Sequence, residues 1–489
     1  MRLSPSDLYT ALRPTPCTLR VYLRAKNEPE GAPSPYETVI RELGRRHEES
    51  HRASLPNLLD LSRIPADDRE QLTLEAIRAR ARNLYQPALR ATVNIAGEEC
   101  VVVGEPDFIL VEPGGLVVRD CKMAIRVNND DHPEIFRAME TYGWLLHSAC
   151  GEKPLRLEVV NVRGEVIHIP NDEVAAEQAV MEQIARTRNM AAPPYEPVGW
   201  SRCGDCGFNT RCWNAAMQVG DVAVVPGIDQ GIARRLRELG VSTISELLAT
   251  LDRDSLADVK RARGAKMARI GSAATRIIES AEAIAIGKER WLHRPQLPVA
   301  PNYVMFDCEG LPPQLDEVDK VYLWGFQVFG GSPGTYVGSL ASSGVDGDRS
   351  GWMSFLLEAS NVFSQHGDIP FIHWAVYERV KLDGYVARFG DPDGVAARVR
   401  RNLVDLFPIT RDCVVLPLPS YSLKVIERHV GFRRRIPEGS GDWAIAKYVE
   451  AVETDREDVR QSLLAEISAY NREDLEATWA VFQWVARER

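Results

Sequence analysis

Three hydrophobic patterns follow one another along the chain and divide it. Over residues 4–50 apolar positions recur with a helical period, and Ile40, Leu43 and His47 fall on one face at i, i+3 and i+7. Ser4-Pro5-Ser6-Asp7 supplies cap chemistry before the first of these helices. A further helix is expected over 69–90. Two β-type runs, 101–103 (VVV) and 116–118 (LVV), flank a Pro-Gly-Gly turn at 113–115 and read as a hairpin or as neighbouring strands. After a polar break at 128–131, a helix is expected from about 133 to 149, a second hairpin over 155–161 and 164–169, and a helix over 172–188. Between 219 and 290 the pattern shortens to two small helices. Pro226-Gly227-Ile228 precedes one and Gly240-Val241 the other. Pro295, Pro298 and Pro301 mark 291–302 as a linker. From 303 the β pattern returns, with strands at 303–306, 320–329 and 370–374 and helices at 350–363, 379–389, 422–430 and 458–487. Strands mixed with helices on both sides of the linker make this a multidomain α/β protein.

The strand pattern carries acids at its ends. Asp107 lies just past the 101–103 run. Asp120 and Lys122 close the 116–118 run, and a period of two puts them on one face. An acid pair with a lysine on a sheet edge suits metal-dependent phosphodiester hydrolysis. The carboxylates hold Mg²⁺ or Mn²⁺, the metal polarises the phosphate and acidifies a water, and the lysine offsets charge in the transition state. His47, with Glu48 beside it, sits on the helix upstream and joins the set as a candidate metal ligand. In the last third, Asp307 and Glu309 follow the 303–306 run and share a strand face, pointing at one metal centre. Tyr470 and Asp474 share a helical face at i and i+4. Glu378 follows the strand at 370–374, and Asp405 is a fallback ligand.

Composition changes this picture in two places. A chain of 489 residues, 45% apolar, suits two to four domains with real cores. Its net charge of -10 does not advertise a nucleic-acid binder. A local patch still serves, because phosphate contacts depend on the nearby surface. Lys260, Arg261, Arg263, Lys266, Arg269 and Arg276 occur between 259 and 278 with no Asp or Glu among them. No apolar run approaches membrane-spanning length and the first residues lack a signal-peptide core, so a cytoplasmic protein without membrane contact is expected. Nine cysteines, an odd number in a reducing compartment, argue for ligands or buried thiols over disulfides. Cys203-x2-Cys206-x5-Cys212 reads as a metal site on a loop, with Cys17 as candidate fourth ligand. The spacing leaves zinc and iron–sulfur both open. Cys100, Cys121, Cys150, Cys308 and Cys413 sit in or beside apolar runs and read as buried thiols.

With these residues in place, three resemblances emerge. Residues 1–218 resemble the RecB-like branch of the PD-(D/E)XK nucleases, in the iron–sulfur group that includes CRISPR-adaptation nucleases and the AddB-type nuclease domain. Cys17 followed by R-x-Y-L, the G-x-x-D at 104–107 with D-x-K at 120–122, and the three-cysteine cluster carry the resemblance. It implies a restriction-endonuclease-like fold, metal ligands at His47, Asp107 and Asp120, and a catalytic Lys122. It also implies a [4Fe–4S] cluster on Cys17, Cys203, Cys206 and Cys212 that staples the two ends of the domain. The family's Gln-x-x-x-Tyr is Ala138-x-x-x-Tyr142 here. Residues 219–290 resemble a helix-hairpin-helix module, in which N–H groups of helix N-termini hold phosphates, here after Gly227 and Gly240. A small helical connector is the alternative. Residues 303–489 resemble the RNase H-like DEDD exonucleases, in the branch with a tyrosine before the last aspartate. Two metals on Asp307, Glu309 and Asp474 are implied, with Glu378 in the third carboxylate position, where aspartate is usual. Tyr470 would orient the attacking water. The order of modules resembles a family of bacterial RecB-like proteins that are mostly inferred nucleases. The expectation is a metal-dependent nuclease acting on DNA, with a RecB-like site and a 3′–5′ exonuclease-like site. The alternatives are an RNA-directed nuclease and a catalytically impaired nucleic-acid-binding or scaffolding protein, the latter favoured by Glu378 and Ala138. No motif specifies a helicase, repair or defence partner.

Overall fold

In the strand Gly115–Cys121 alternate side chains serve two cores. Leu116 and Val118 are fully buried with Met139 and Leu145 of the helix Pro133–Cys150, while Val117 faces Phe108 and Leu110. The strand runs antiparallel to Phe108–Glu112 and parallel to Arg156–Val160, and the helix makes the crossover that a parallel pair requires. The computed structural model describes residues 2–488 apart from 14, 81, 96, 172–173, 205, 264–265, 313–319, 343–345 and 437–438, and apart from the side chains of 66–67, 174–177, 201 and 263. Among the described residues these strands are the middle of a six-stranded sheet. Its order is Leu58–Asp60, Asn83–Tyr85, Phe108–Glu112, Gly115–Cys121, Arg156–Val160, Val166–Ile169. A three-stranded sheet joins Arg2–Leu3, Glu98–Gly104 and Leu89–Ile95. Ser4 and Asp7 form a capping box on the helix Pro5–Leu12: Ser4 N donates to Asp7 Oδ2 at 2.8 Å and Asp7 N to Ser4 Oγ at 3.3 Å.

Two expectations for this half are corrected. The 101–103 run does not pair with 116–118, because it belongs to Glu98–Gly104 in the smaller sheet. The Pro-Gly turn instead joins Phe108–Glu112 to Gly115–Cys121, with Gly114 at φ 105°. The expected helix over 69–90 ends at Ala79, where Arg80 turns left-handed at φ 47°. The strands Asn83–Tyr85 and Leu89–Ile95 follow, so sheet pairing overrides local helix propensity there.

The strand Asn302–Gly310 repeats the two-sided design. Val304, Phe306 and Cys308 pack with Trp324, Trp352 and Phe355. Tyr303 and Met305 pack with Leu475, Val481 and Phe482 of the helix Glu457–Ala486. Among the described residues its sheet has five strands, ordered Val337–Leu340, Val321–Gly330, Asn302–Gly310, Phe371–His373, Leu403–Asp405. The first two pairings are antiparallel and the last two parallel. The helices Val395–Asn402, Leu406–Cys413 and Gly441–Glu453 were not expected from the sequence pattern.

Between the two lies a helical segment: Gln230–Glu238 and Ile244–Thr250 around Gly240 (φ 82°), then Arg253–Asp258 and Ala273–Ile286. The basic stretch at 260–269 is an antiparallel ribbon of Lys260–Arg263 and Lys266–Arg269. The proline-spaced stretch 291–302 is no free tether at its start. Arg290–Trp291 pairs with Val414–Val415, and the Trp291 and Trp484 rings lie 4.9 Å apart. Arg276 donates to the carbonyls of Arg411 and of Val414 (2.6 Å) and to Tyr421 Oη at 3.0 Å. The chain forms two units, Met1–Pro33 with Glu37–Cys212 and Ser34–Tyr36 with Trp213–Arg489, so the helical segment belongs with the C-terminal sheet. No described helix is long and apolar enough to cross a membrane.

Candidate metal centres

Asp120 continues the row Leu116, Val118 and is 2% exposed, so the strand's period carries a carboxylate into a core position. Lys122 Nζ lies 2.5 Å from Asp120 Oδ2, as the shared face predicts. Asp107 N donates to Asp120 Oδ1 at 3.2 Å, and Cys121 N donates to Asp107 Oδ2 at 2.7 Å. Burial and the Asp120 charge push the Asp107 carboxyl well above the usual carboxylate range. Burial also acts to raise Asp120, but Lys122 and hydrogen bonds from Asp107 hold it below its ordinary value. Burial opposes the charge on Lys122, yet Asp120 and Asp107 outweigh it and keep the lysine protonated. The Tyr142 hydroxyl donates to Glu105 O at 3.2 Å, and at Gly104 a Cβ would stand 2.5 Å from Leu145 Cδ1 and 3.0 Å from Tyr142 Cδ1. That close approach is the reason for glycine in G-x-x-D. Ala138 is buried one turn earlier.

His47 is placed differently from the expectation. Its Nε2 lies 3.2 Å from Val160 O, the same carbonyl that accepts Lys122 N at 2.9 Å. The ring thus ties the helix Pro35–Ser54 to the strand end, and His47, Asp107 and Asp120 do not bring three ligating atoms within 4.8 Å of one another. Glu48 comes nearer the acids. Gln86 Nε2 donates to Glu48 Oε1 at 2.7 Å and to Asp107 Oδ1 at 3.3 Å, and Tyr85 Oη donates to Glu48 Oε1 at 2.8 Å. Gln86 holds this bridge from a left-handed backbone, φ 52°. Helical spacing gave no ground for preferring Glu48 to its neighbour. Two acids with a third close by fit Mg²⁺, which keeps several waters and takes one or two carboxylates.

The two ends of this unit meet at the cysteines. Thr18 N and Oγ1 donate to Glu196 Oε1 at 3.1 and 2.7 Å, Gly31 N donates to Gly207 O at 2.8 Å, and Arg211 pairs with Glu28 at 2.6 Å. Arg202 Nη2 donates to Pro16 O. Cys203 ends the helix Trp200–Cys203 and Cys212 lies in Asn209–Val219, so helices present two of the three thiols that were expected on a loop, while Cys17 caps Thr18–Ala25. Burial raises the Cys17, Cys203 and Cys212 thiols, the last to about 11, and Cys212 also feels Cys206, Cys17 and Cys203. The four are neighbours, although no three sulfurs fall within 4.8 Å of one another.

In the C-terminal sheet Asp307 and Glu309 continue the row Tyr303, Met305 within the strand, facing the helix Glu457–Ala486. That helix replaces apolar residues of its own buried stripe with Tyr470, Asn471 and Asp474. Ligating oxygens of Asp307, Glu309 and Asp474 lie within 4.8 Å of one another. Glu378 lies 3.2 Å from His373 Nδ1 and close enough to Asp307 to perturb its carboxyl, so the fourth acid of the expected set stands beside the three that converge. Burial, then the neighbouring carboxylates, raise Asp307 and Glu309 well above the usual range. Glu378 is pushed up to about 8, mainly by burial. Buried acids that repel one another call for a cation, so this donor set fits a divalent metal. Asp405, the fallback, caps a helix: its Oδ1 accepts from Ala375 N at 2.9 Å and Phe407 N at 3.1 Å at the start of Leu406–Cys413. It thereby pins Ala375 at φ 68°, just before Glu378.

Several residues at this site were missed. Asn471 Nδ2 donates to Asp307 Oδ2 at 2.6 Å and its Oδ1 accepts from Tyr336 Oη at 3.0 Å. Arg434 donates to both oxygens of Glu427 at 2.7 Å and to Asp474 Oδ1 at 2.5 Å. Glu473 accepts from Arg435 N at 2.7 Å and Ile436 N at 3.3 Å, which holds the Arg434 segment in place. The signal was present in Tyr470-Asn471-Arg472-Glu473-Asp474, whose inner polar residues fall on a buried stripe. A Cβ on Gly325 would stand 1.7 Å from Asn471 Oδ1. Gly325→Ala is therefore expected to displace Asn471, free Asp307 and cost about 1–3 kcal/mol, read as a lowered urea midpoint together with lost cleavage by this site.

The ribbon Lys260–Arg269 is less basic than its sequence. Arg261 pairs with Asp229 at 2.6 Å and Arg269 with Asp258 at 3.1 Å, both acids outside the window counted. Lys260 and Lys266 are exposed, and the Arg263 side chain lies outside the described residues. Near Gly227 and Gly240 the helix N-termini already hold side-chain partners: Asp229 accepts from Ile232 N at 2.9 Å, and Glu246 accepts from Ser242 N and Thr243 N at 2.8 and 2.9 Å.

Two clusters of carboxylates set where strand rows leave the core, one with a lysine and one with a tyrosine, define the class of metal-dependent phosphodiester hydrolases. Residues 19–213 match the family model of the PD-(D/E)XK nuclease superfamily, and residues 304–486 match that of the RNase H superfamily. The chain joins a PD-(D/E)XK nuclease superfamily domain to an RNase H superfamily domain. These two memberships support a metal-dependent nuclease in general, with nucleic acid as its substrate. Among solved structures, the one described as the crystal structure of SSO0001 is similar at 15% identity, over 43% of this chain and 85% of that chain, with a TM-score of 0.24. Comparison with curated proteins gives no match.

Proposed function

We propose that the protein is a two-site nuclease acting on DNA. The N-terminal site cuts single-stranded or end-proximal DNA, and the C-terminal site trims 3′ ends as a DEDD-type exonuclease. The observation that carries the reading is the convergence of Asp307, Glu309 and Asp474 within 4.8 Å, with Glu378 beside Asp307. A bound Mg²⁺ or Mn²⁺ supplies the Lewis acid and an acidified water. The chain's own part at the C-terminal site is to fix the carboxylates through Asn471 and Arg434. It also places Tyr470, 4% exposed and raised by burial and the acids, as a neutral hydroxyl beside Asp474. At the N-terminal site Lys122 offsets charge next to Asp120. A [4Fe–4S] cluster on Cys17, Cys203, Cys206 and Cys212 fits four neighbouring thiols drawn from the two ends of the domain.

Purified protein with Mg²⁺ or Mn²⁺ is expected to cleave end-labelled DNA, with Asp120→Ala and Asp307→Ala each removing a separate activity by about 10³-fold. Single- and double-stranded DNA and RNA are compared in the same assay. RNA cleaved in preference to DNA overturns the substrate assignment. A protein with metal bound and no cleavage of any substrate overturns the nuclease reading. A second reading applies to the N-terminal site alone: with His47 on a backbone carbonyl, that domain serves as a nucleic-acid-binding or scaffolding module. Asp120→Ala without effect on cleavage, beside salt-sensitive DNA binding, would favour it.

A further inference from the structure

Two cations stand near the C-terminal acids, and they are used differently. Arg434 is paired with Glu427 and Asp474 through Nε and Nη2, and its buried Nη1 has no partner among the described residues. Lys424, in the first turn of the helix Leu423–His429, is not so paired. Its Nζ donates one hydrogen bond, to Gly439 O at 2.7 Å, and lies 5.2 Å from the centre of the Tyr470 ring. Glu427, one turn further along the same helix, is occupied by Arg434. Among the described residues no carboxylate lies within ion-pair distance of Lys424. An ammonium has three donors, so two remain. Half-buried, with Asp474, Glu309 and Glu427 as the acids around it and Arg434 as the opposing cation, Lys424 stands beside the reaction centre without an ion-pair partner among the described residues.

Hydrolysis of a phosphodiester needs a positive charge there. The scissile phosphate arrives as an anion, and its non-bridging oxygens gain charge as water attacks. A lysine meets one such oxygen as a compact point charge. We propose that Lys424 is a further catalytic residue of the C-terminal site and holds a non-bridging oxygen of the scissile phosphate. This rests on the nuclease reading of that site. Arg434, bonded to Asp474, is by contrast a positioning residue.

The test uses the full chain carrying Asp120→Ala, so that only the C-terminal site is read. Single-turnover cleavage of end-labelled single-stranded DNA is measured for this protein and for added Lys424→Met, Lys424→Arg and Asp307→Ala, with Mn²⁺ binding followed by calorimetry. Lys424→Met is expected to lower the cleavage rate about 10²-fold, to leave Mn²⁺ affinity within twofold and melting temperature unchanged, and to weaken inhibition by a nucleoside 5′-monophosphate. Lys424→Arg is expected to recover part of the rate. If Lys424→Met cleaves within twofold of its parent while Asp307→Ala is dead, the proposal falls and the nuclease reading stands. If Lys424→Met loses Mn²⁺ or melts early, Lys424 is structural and the proposal falls. If the parent itself does not cleave, the nuclease reading fails first and takes the proposal with it.

Discussion

Asp307→Asn is expected to abolish cleavage by the C-terminal domain and, at pH 8 in EDTA, to raise its melting temperature. The two effects share a cause. Asp307, Glu309, Glu378 and Asp474 are packed into a buried space, and all four carboxyls are raised. A carboxyl raised in the folded state contributes stability that is full below its unfolded value and is lost as pH climbs through its folded value. For Glu378 that window runs from the ordinary 4.5 to about 8. At about 1.4 kcal/mol per unit, the acid cluster withdraws on the order of 4 kcal/mol from the metal-free domain by pH 8. Removing one of four charges is expected to return about 2 kcal/mol, or roughly 5 °C for a domain of this size. The gain should shrink towards pH 5, well below the value of Glu378, where less of the cluster's charge remains to be relieved. Mg²⁺ binds the ionised form, so its stabilisation of the parent, about 3 kcal/mol at a hundredfold excess over Kd, should grow between pH 6 and 8 and vanish in the variant. Scanning fluorimetry across that range, with and without Mg²⁺, decides it. An Asp307→Asn protein that melts lower than its parent in EDTA at pH 8 would show that the acids stabilise the fold and do not await a cation.

The sites were legible because each breaks a rule of the strand that carries it. Asp120 and Asp307 occupy positions that the period of two reserves for apolar side chains, after Leu116, Val118 and after Tyr303, Met305. A charge there has no structural purpose, so the pattern itself marks it. Tyr470 and Asp474 interrupt a helical stripe in the same way. What the pattern hides is which polar neighbour turns inward. His47 and Glu48 are adjacent, and their roles depend on whether the helix Pro35–Ser54 sets the ring against Val160 O. Asn471 and Arg434 act through partners 164 and 40 residues away, distances over which periodicity carries no information. The strand pairing of 101–103 failed for a related reason. Two apolar runs beside a turn signal look like a hairpin, yet the FILVE run that completes the turn, Phe108–Glu112, is buried on both faces and shows no alternation. The basic ribbon was overcounted because Asp229 and Asp258 reach it from outside the window in which its charges were summed.

On the proposed cluster, Cys17→Ser is expected to strip the N-terminal unit of its iron and sulfide, to lower its melting temperature, and to leave C-terminal cleavage intact. Cys17 stands 186 residues before Cys203, and a bond through a common cluster closes nearly the whole domain into one loop. On a chain-entropy model, closing a loop of that length stabilises the folded state by about 5 kcal/mol. The protein contacts at the same place are weaker substitutes. Thr18 on Glu196, Gly31 on Gly207 and Arg211 on Glu28 are hydrogen bonds and a largely exposed ion pair, each worth roughly 1 kcal/mol. They pre-position the ends, so the apo unit is expected to hold its shape only weakly, and the strand Gly115–Cys121, which carries the proposed Asp120–Lys122 site, to depend on ends that are far from it in sequence. The holoprotein should be brown, with broad visible absorption, iron and acid-labile sulfide, and Cys17→Ser should lose all three. A colourless protein containing zinc would reject the iron–sulfur assignment. A brown Cys17→Ser protein with full iron would remove Cys17 from the ligand set while keeping the cluster. The discriminating readout is the pairing of the two activities. Asp120-dependent cleavage should fall with the iron content across preparations, and Asp307-dependent cleavage should not, because the cysteines lie in the unit that ends at Cys212 and the second acidic set lies wholly beyond it.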